Sequence, residues 1–186
     1  MAPSSMRSGA SGSELLAARD ARQALLDRHP AGPGGAVVTL SLAIPGAEKV
    51  PPGAAGLFAW GRATALSTLP GARLLAEAED ALGPFALIGL GPAAGGPAAT
   101  EATAGAGDLA AAAKMACVAL EGARPAARLL DLDVYGPGGA AVDRASLGLA
   151  PRPCLCCDAP ARECIRVGRH GFEALVARAR DLLDHG

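Results

Sequence analysis

The chain has 186 residues, a formal net charge of −1 and a hydrophobic share of 51% in which aromatic residues supply only 3%. At about 100–200 residues per domain this length fits a single domain. A near-zero balance provides no overall positive field to recommend nucleic acid or an anionic membrane as partner. The 17 basic residues are arginine at all but Lys49 and Lys114, and 25 glycines with 15 prolines predict a loop-rich protein short of low complexity.

Residues 1–13 lack the apolar centre of a secretion signal and read as a flexible tail, so a cytoplasmic location is expected. A first helix is expected from an N-cap at Ser13 to about Arg28, with Leu15, Leu16, Ala18, Leu25 and Leu26 at helical spacing. Residues 36–44 read as a strand closed by Pro45 and Gly46, and 54–69 as a helix. Two short elements, 74–81 and 85–90, pair best as a hairpin around Gly83 and Pro84. The apolar stretch 81–99 is broken by Pro84, Gly89, Gly91, Pro92, Gly95 and Gly96, too often for a membrane-spanning helix of about 20 residues. Gly89, Gly91 and Gly95 miss the spacing of a dinucleotide-binding loop and read as a turn. A helix over 107–121 capped by Asp108, a strand over 128–135 and a final amphipathic helix over 172–183 follow. Helices interleaved with strands imply an α/β or α+β domain, with a mixed sheet flanked by helices.

Two segments carry chemistry. In the strand around Asp131 and Asp133, alternation turns Leu130, Leu132 and Val134 one way and both aspartates the other. Their Cα atoms stand about 7 Å apart, at a rise of about 3.3 Å per residue. Such a pair suits one or two divalent cations of phosphoryl or nucleotidyl transfer, with Mg²⁺ favoured by carboxylates plus substrate phosphates. It equally suits a half-buried strand that shows two acids to water. The second segment, 151–170, is a Cys/His block: Cys154, Cys157, Cys164 and His170 form Cys-x2-Cys-x6-Cys-x5-His, four ligands of the kind that close a structural Zn²⁺ site. Small buried cysteines and a thiol-redox pair are the other readings of the same residues. Arg19 and Arg22, near one helical face, suit phosphate oxygens or simply a solvated face.

Taken together these segments resemble one family. Leu15, Leu16, Arg19, Asp20, Arg22 and Gln23 match its first block, and Ile44, Pro45, Gly46 and Lys49 follow at the expected distance. Leu120, Glu121, Pro125, Arg128, Leu129, Asp131, Asp133 and Val134 form the third block. Pro151, Arg152, Cys154, Leu155, Cys157, Ala161, Cys164, Arg166 and His170 form the last. The pattern is similar to the CitX family, the apo-citrate lyase phosphoribosyl-dephospho-CoA transferases. Ala127 and Leu130 depart from its usual residues, and Cys156 is an extra thiol.

The resemblance implies a nucleotidyltransferase-like domain over residues 14–186. It also implies transfer of a prosthetic group from 2′-(5″-triphosphoribosyl)-3′-dephospho-CoA to a serine of the citrate lyase acyl carrier (gamma) subunit, with release of diphosphate. In that setting Asp131 and Asp133 become the catalytic, Mg²⁺-holding carboxylates, and Arg19, Asp20, Arg22, Lys49 and Arg128 the donor-binding residues. Zn²⁺ at Cys154, Cys157, Cys164 and His170 would be structural. The alternative is a zinc-stabilised module that docks a carrier protein without catalysis.

Overall fold

A computed structural model describes residues 10–91 and 106–186. Five strands form one sheet in the order β2-β3-β1-β4-β5, each antiparallel to its neighbour. The expected helix-flanked sheet is therefore present, and its strands run antiparallel throughout rather than mixed. Pro92 and Gly95 of the glycine-rich turn, and residues 1–9 of the expected tail, lie outside the described residues.

Helix α1 (Gly12–Arg28) begins two residues earlier than the Ser13 cap implies, because Ser11 closes a reciprocal capping box. Its hydroxyl accepts from the Glu14 backbone N–H at 3.3 Å, and the Glu14 carboxylate accepts from the Ser11 N–H at 2.7 Å. Only Ser11 has a glutamate three residues on, which is what this motif requires; Ser13 faces Leu16 at that spacing. Strand β1 (Ala36–Leu42) and helix α2 (Ala54–Thr68) follow. The expected hairpin is β2 (Arg73–Asp80) and β3 (Gly83–Leu90), with Ala81 and Leu82 at its turn. Gly83 and Pro84 begin the second strand instead of forming the turn.

Helix α3 spans Ala106–Glu121, which places Asp108 inside the helix rather than at its cap. The strand expected from residue 128 starts only at Leu130, as β4 (Leu130–Tyr135). Pro125, with its preset φ, opens a 3₁₀ helix (Pro125–Leu129) that takes up Arg128 and Leu129. The two-residue β5 (Ala141–Val142), the short α4 (Ala161–Val167) and α5 (Phe172–His185) complete the chain.

Alternation along the strands divides the sheet into two unlike faces. Val38, Leu40 and Leu42 of β1, Ala86 and Ile88 of β3, and Leu130, Leu132 and Val134 of β4 point to one side. There they meet Leu57 and Phe58 of α2, Ala113 and Cys117 of α3, and Leu182 of α5. On the other side only part of the sheet is covered, where Leu25 and Leu26 of α1 pack on Val37, Phe85 and Leu87. Among the described residues no helix packs on the β1–β4 half of that face. Thr39 pairs with Asp133 and Ser41 with Asp131, so all four side chains stand on it. No helix among the described residues is long and apolar enough to cross a membrane.

The turn from α2 into β2 packs against the end of β3. Gly71 has φ +60°, and a Cβ there would lie 2.3 Å from the Gly91 carbonyl oxygen. Both the left-handed backbone and the backbone contact exclude a side chain. Gly71→Ala is expected to cost more than about 1 kcal/mol, read as a lowered urea midpoint at unchanged m-value.

Candidate functional site

The site is built on an incomplete strand edge. In an antiparallel ladder each residue turns both its N–H and C=O to the same neighbour, alternating along the strand. The outer edge of β4 is covered by β5 only at Val134 and Tyr135. At Leu132 the open backbone groups are filled by side chains of α3. The Lys114 ammonium donates to the Leu132 carbonyl at 2.8 Å, and the Leu132 N–H donates to Glu121 Oε1 at 3.2 Å. Lys114 and Glu121 lie two helical turns apart on one face of α3, which matches the reach required. Both are buried, at 6% and 7% exposure. One residue pair earlier, Arg152 donates to the Arg128 and Leu130 carbonyls at 2.8 and 2.6 Å.

The same cations hold the aspartates. Arg152 pairs with Asp131 Oδ1 at 2.8 Å, and Lys114 approaches Asp133 Oδ1 at 3.7 Å. Arg144 donates to Glu121 Oε2 at 2.5 Å, and Arg152 lies 4.0 Å from Glu121 Oε1. Exposed pairs elsewhere, such as Arg180 with Glu48, contribute at most about 1 kcal/mol each. The Glu121 pair differs because its carboxylate is only 8% exposed, so loss of a partner leaves a desolvated charge.

Burial pushes the Asp133 carboxyl above its ordinary value; the Asp131 charge adds to this, and Lys114 and Arg152 oppose it. Burial likewise raises the Tyr135 hydroxyl, with further contributions from Asp133 and Asp131. Two like charges held side by side are what a divalent cation relieves. The second oxygen of each aspartate has no hydrogen-bond or ion-pair partner among the described residues. Their donor chemistry therefore fits a hard, oxygen-liganded ion such as Mg²⁺. The cleft over them, about 620 Å³, is bordered by Tyr135, Arg144, Arg152, Arg162 and Ile165.

The remaining expected residues lie in two places. Arg22 holds the hairpin turn: it forms a two-pronged pair with Asp80 at 2.8 and 2.7 Å, donates to the Gly83 carbonyl and stacks 4.9 Å over Phe85. Lys49 donates to the Ile44 carbonyl at 3.1 Å. Arg19 and Asp20 are exposed on α1. Phe85 shares the aspartate face two strands from β4, about 10 Å away at about 4.8 Å per strand. Arg22 therefore borders the open face rather than touching the aspartates. Arg128 donates to the Cys154 carbonyl and joins the site to the Cys/His block.

That block closes on itself. The Cys154 N–H bonds to the Ala159 carbonyl at 2.8 Å, folding residues 154–159 into a tight loop. α4 then presents Cys164, and Gly168 ends it in the left-handed region at φ 58°, reversing the chain so that His170 returns. The ligand atoms of Cys154, Cys157, Cys164 and His170 lie within 4.8 Å of one another. Cys157 Sγ stands 3.5 Å from Cys164 Sγ and 3.3 Å from His170 Nε2. A tetrahedral zinc with bonds of about 2.3 Å to sulfur needs neighbours about 3.8 Å apart, so the cluster fits a metal such as zinc. The His170 hydrogen bond, helped by the Ala159 backbone, brings the Cys157 thiol down to about 6. Burial and its sulfur neighbours push Cys164 up to about 11. The extra thiol, Cys156, turns away to the Ala174 carbonyl at 3.9 Å.

Lys114, Glu121, Arg144 and Arg152 are the site residues that sequence reasoning missed. Glu121 and Arg152 stood within the quoted blocks, and Lys114 was conspicuous as one of two lysines. No local signal in the sequence marks Arg144.

Paired carboxylates on a cation-lined sheet face thus lie beside a Cys/His cluster that could hold a metal such as zinc. Residues 11–186 match the CitX family, apo-citrate lyase phosphoribosyl-dephospho-CoA transferase. The chain is 33% identical over 179 residues to the apo-citrate lyase phosphoribosyl-dephospho-CoA transferase of Escherichia coli O1:K1 / APEC, covering 92% of this chain and 87% of that one. It is 34% identical over 175 residues to proteins of the same name from Escherichia coli O139:H28 (strain E24377A / ETEC) and Shigella boydii serotype 18 (strain CDC 3083-94 / BS512), with the same coverage. The chain belongs to this family of transferases.

Glu121→Ala is expected to cost about 3 kcal/mol, since it strands the Leu132 N–H and Arg144 together. Lys114→Met, which leaves the Leu132 carbonyl without a donor, is expected to cost about 1–3 kcal/mol. Glu121→Gln keeps an acceptor for Leu132 and should lose less than Glu121→Ala. Urea unfolding of the three variants measures the order.

Proposed function

We propose that this protein transfers the phosphoribosyl-dephospho-CoA group from 2′-(5″-triphosphoribosyl)-3′-dephospho-CoA to a serine of the citrate lyase acyl carrier subunit, in the cytoplasm, through one transferase domain over residues 14–186. The observation that carries this reading is the family match over residues 11–186. In the reaction the serine oxygen bonds to the innermost phosphorus of the triphosphate. The bond from that phosphorus to the next bridging oxygen breaks. Diphosphate leaves with the electron pair, and the serine proton passes to solvent.

Asp131 and Asp133 would hold Mg²⁺ through the oxygens that Arg152 and Lys114 leave open. Bound there, the ion would supply charge neutralisation at the phosphate and a lowered pKa for the attacking hydroxyl. Lys114 and Arg152 fix the two carboxylates in place, so little reorganisation is needed when the donor arrives. Arg128 is the donor contact nearest the aspartates, and Arg19, Asp20, Arg22 and Lys49 serve the far border of the open face. Cys154, Cys157, Cys164 and His170 would hold a structural Zn²⁺, which would tie α4 to the loop that carries Arg152.

Incubation with apo-carrier, donor and Mg²⁺, followed by intact-mass analysis, tests the transfer. The carrier should gain one phosphoribosyl-dephospho-CoA. A carrier of unchanged mass would instead favour the non-catalytic docking module. Asp131→Asn and Asp133→Asn should each slow transfer by about a hundredfold or more while circular dichroism stays unchanged. Full activity in both variants would remove the aspartates from the mechanism.

Elemental analysis of the purified protein should find about one zinc per chain, and Cys164→Ser should lose both the metal and thermal stability. Metal-free protein of undiminished stability would leave the cluster without a structural ion.

A further inference from the structure

A second cleft adjoins the aspartates, and its lining is unlike the rest of the chain. About 680 Å³ in volume, it gathers five arginines, Arg124, Arg128, Arg144, Arg152 and Arg178, against one carboxylate, Glu121. The protein as a whole carries a net charge of −1, so this concentration is local. The five come from three separate places: the 3₁₀ helix and its N-cap, the loops flanking Pro151, and α5.

Carboxylates within the protein neutralise only part of the group. Arg144 pairs with Glu121, Arg152 with Asp131 and Arg178 with Asp181. Arg124 and Arg128 have no carboxylate partner among the described residues. Arg128 donates only to a backbone carbonyl. The Arg124 guanidinium stacks 4.0 Å from the Trp60 ring centre, and its Nε is buried without a hydrogen-bond acceptor among the described residues. A buried donor left open in this way costs about 1–3 kcal/mol, which an incoming acceptor would recover. The cleft thus combines excess positive charge with an unfilled donor, the complement of a polyanion rich in oxygen acceptors. Planar guanidinium forks match phosphate oxygens better than any other side chain.

Position narrows the ligand further. Glu121, Arg144 and Arg152 line both this cleft and the one over Asp131 and Asp133. A run of phosphates lying along the arginines would bring its inner end, past Arg152, to the paired aspartates. We propose that the five-arginine cleft binds the polyphosphate of the donor and retains the charge of the diphosphate that leaves. This inference rests on the transfer reading above and adds the place where the leaving group sits.

Isothermal titration with inorganic tripolyphosphate, at fixed ionic strength and without Mg²⁺, tests the cleft apart from catalysis. The wild-type protein should bind one tripolyphosphate. The Arg124→Gln/Arg178→Gln double variant should bind it about tenfold more weakly or worse, and Arg178→Gln alone, at a half-buried residue, should show a smaller loss in the same direction. Arg180→Gln, a charge-matched control on α5 outside the cleft, should bind as the wild type does. In the transfer assay, the double variant should raise KM for the donor and leave KM for the carrier unchanged. Equal tripolyphosphate affinity in wild type and double variant, an equal loss in Arg180→Gln, or no binding to the wild type would each overturn the proposal. Failure of the two readings is distinguishable. Arginine-dependent tripolyphosphate binding in a protein that transfers nothing removes the function and keeps the cleft. Arginine-independent binding in an active transferase removes the cleft alone.

Discussion

The organisation of this protein depends on how one strand edge is finished. β4 lies next to a strand of only two residues, so the edge beyond Val134 has backbone groups that must be satisfied by something other than a strand. Lys114 and Glu121 of α3 fill them at Leu132, and Arg152 donates to the Leu130 carbonyl. Burying an ammonium and a carboxylate against the sheet is costly unless each is fully partnered. Here each charged group has a backbone partner and a charged partner. The arrangement therefore fixes helix, strand and arginine loop relative to one another.

This solution to a backbone problem also makes the site. The groups that cap the edge of β4 reach around to the carboxylates of Asp131 and Asp133 on its open face. They take one oxygen from each and leave the other without a partner among the described residues. They hold the pair against its mutual repulsion, while partial desolvation still raises the Asp133 carboxyl from its ordinary value. The Cys/His cluster acts one step further out. It folds the loop after Arg152, where the Ala161 N–H bonds the Arg152 carbonyl at 2.9 Å, so the ordering of that cluster reaches the aspartates through a single residue. Cation chemistry on one flank and sulfur chemistry on the other converge on Arg152.

Local physics made much of the fold legible. The alternation that separates Leu130, Leu132 and Val134 from Asp131 and Asp133 survives unchanged, because a strand has no other way to orient its side chains. The hairpin and α2 stand close to where composition and turn residues place them. The misplacements are equally local. Ser11 outcompetes Ser13 because Glu14 completes its capping box. The strand after Pro125 is delayed because proline favours the start of a helical turn. Sequence reasoning did not reach the partners of the aspartates. Lys114, Glu121, Arg144 and Arg152 act across separations of 18, 11, 23 and 21 residues, to groups whose need for a partner exists only once β5 is seen to be short.

The near-neutral charge and arginine-rich composition of the chain first excluded little beyond an overall cationic surface. The sequence by itself determined the reactive inventory: two aspartates on one strand face, three cysteines and a histidine at a spacing that could close on a metal, and the blocks that mark the family. Residue identity and spacing within one element decide these, so no folding is needed to read them. The tertiary structure alone decided which cations meet those aspartates, that Arg22 serves the hairpin turn, and that five scattered arginines share one cleft beside a carboxylate pair. Charges far apart in the chain cannot sum into a local field until the sheet and its helices bring them within a few ångströms.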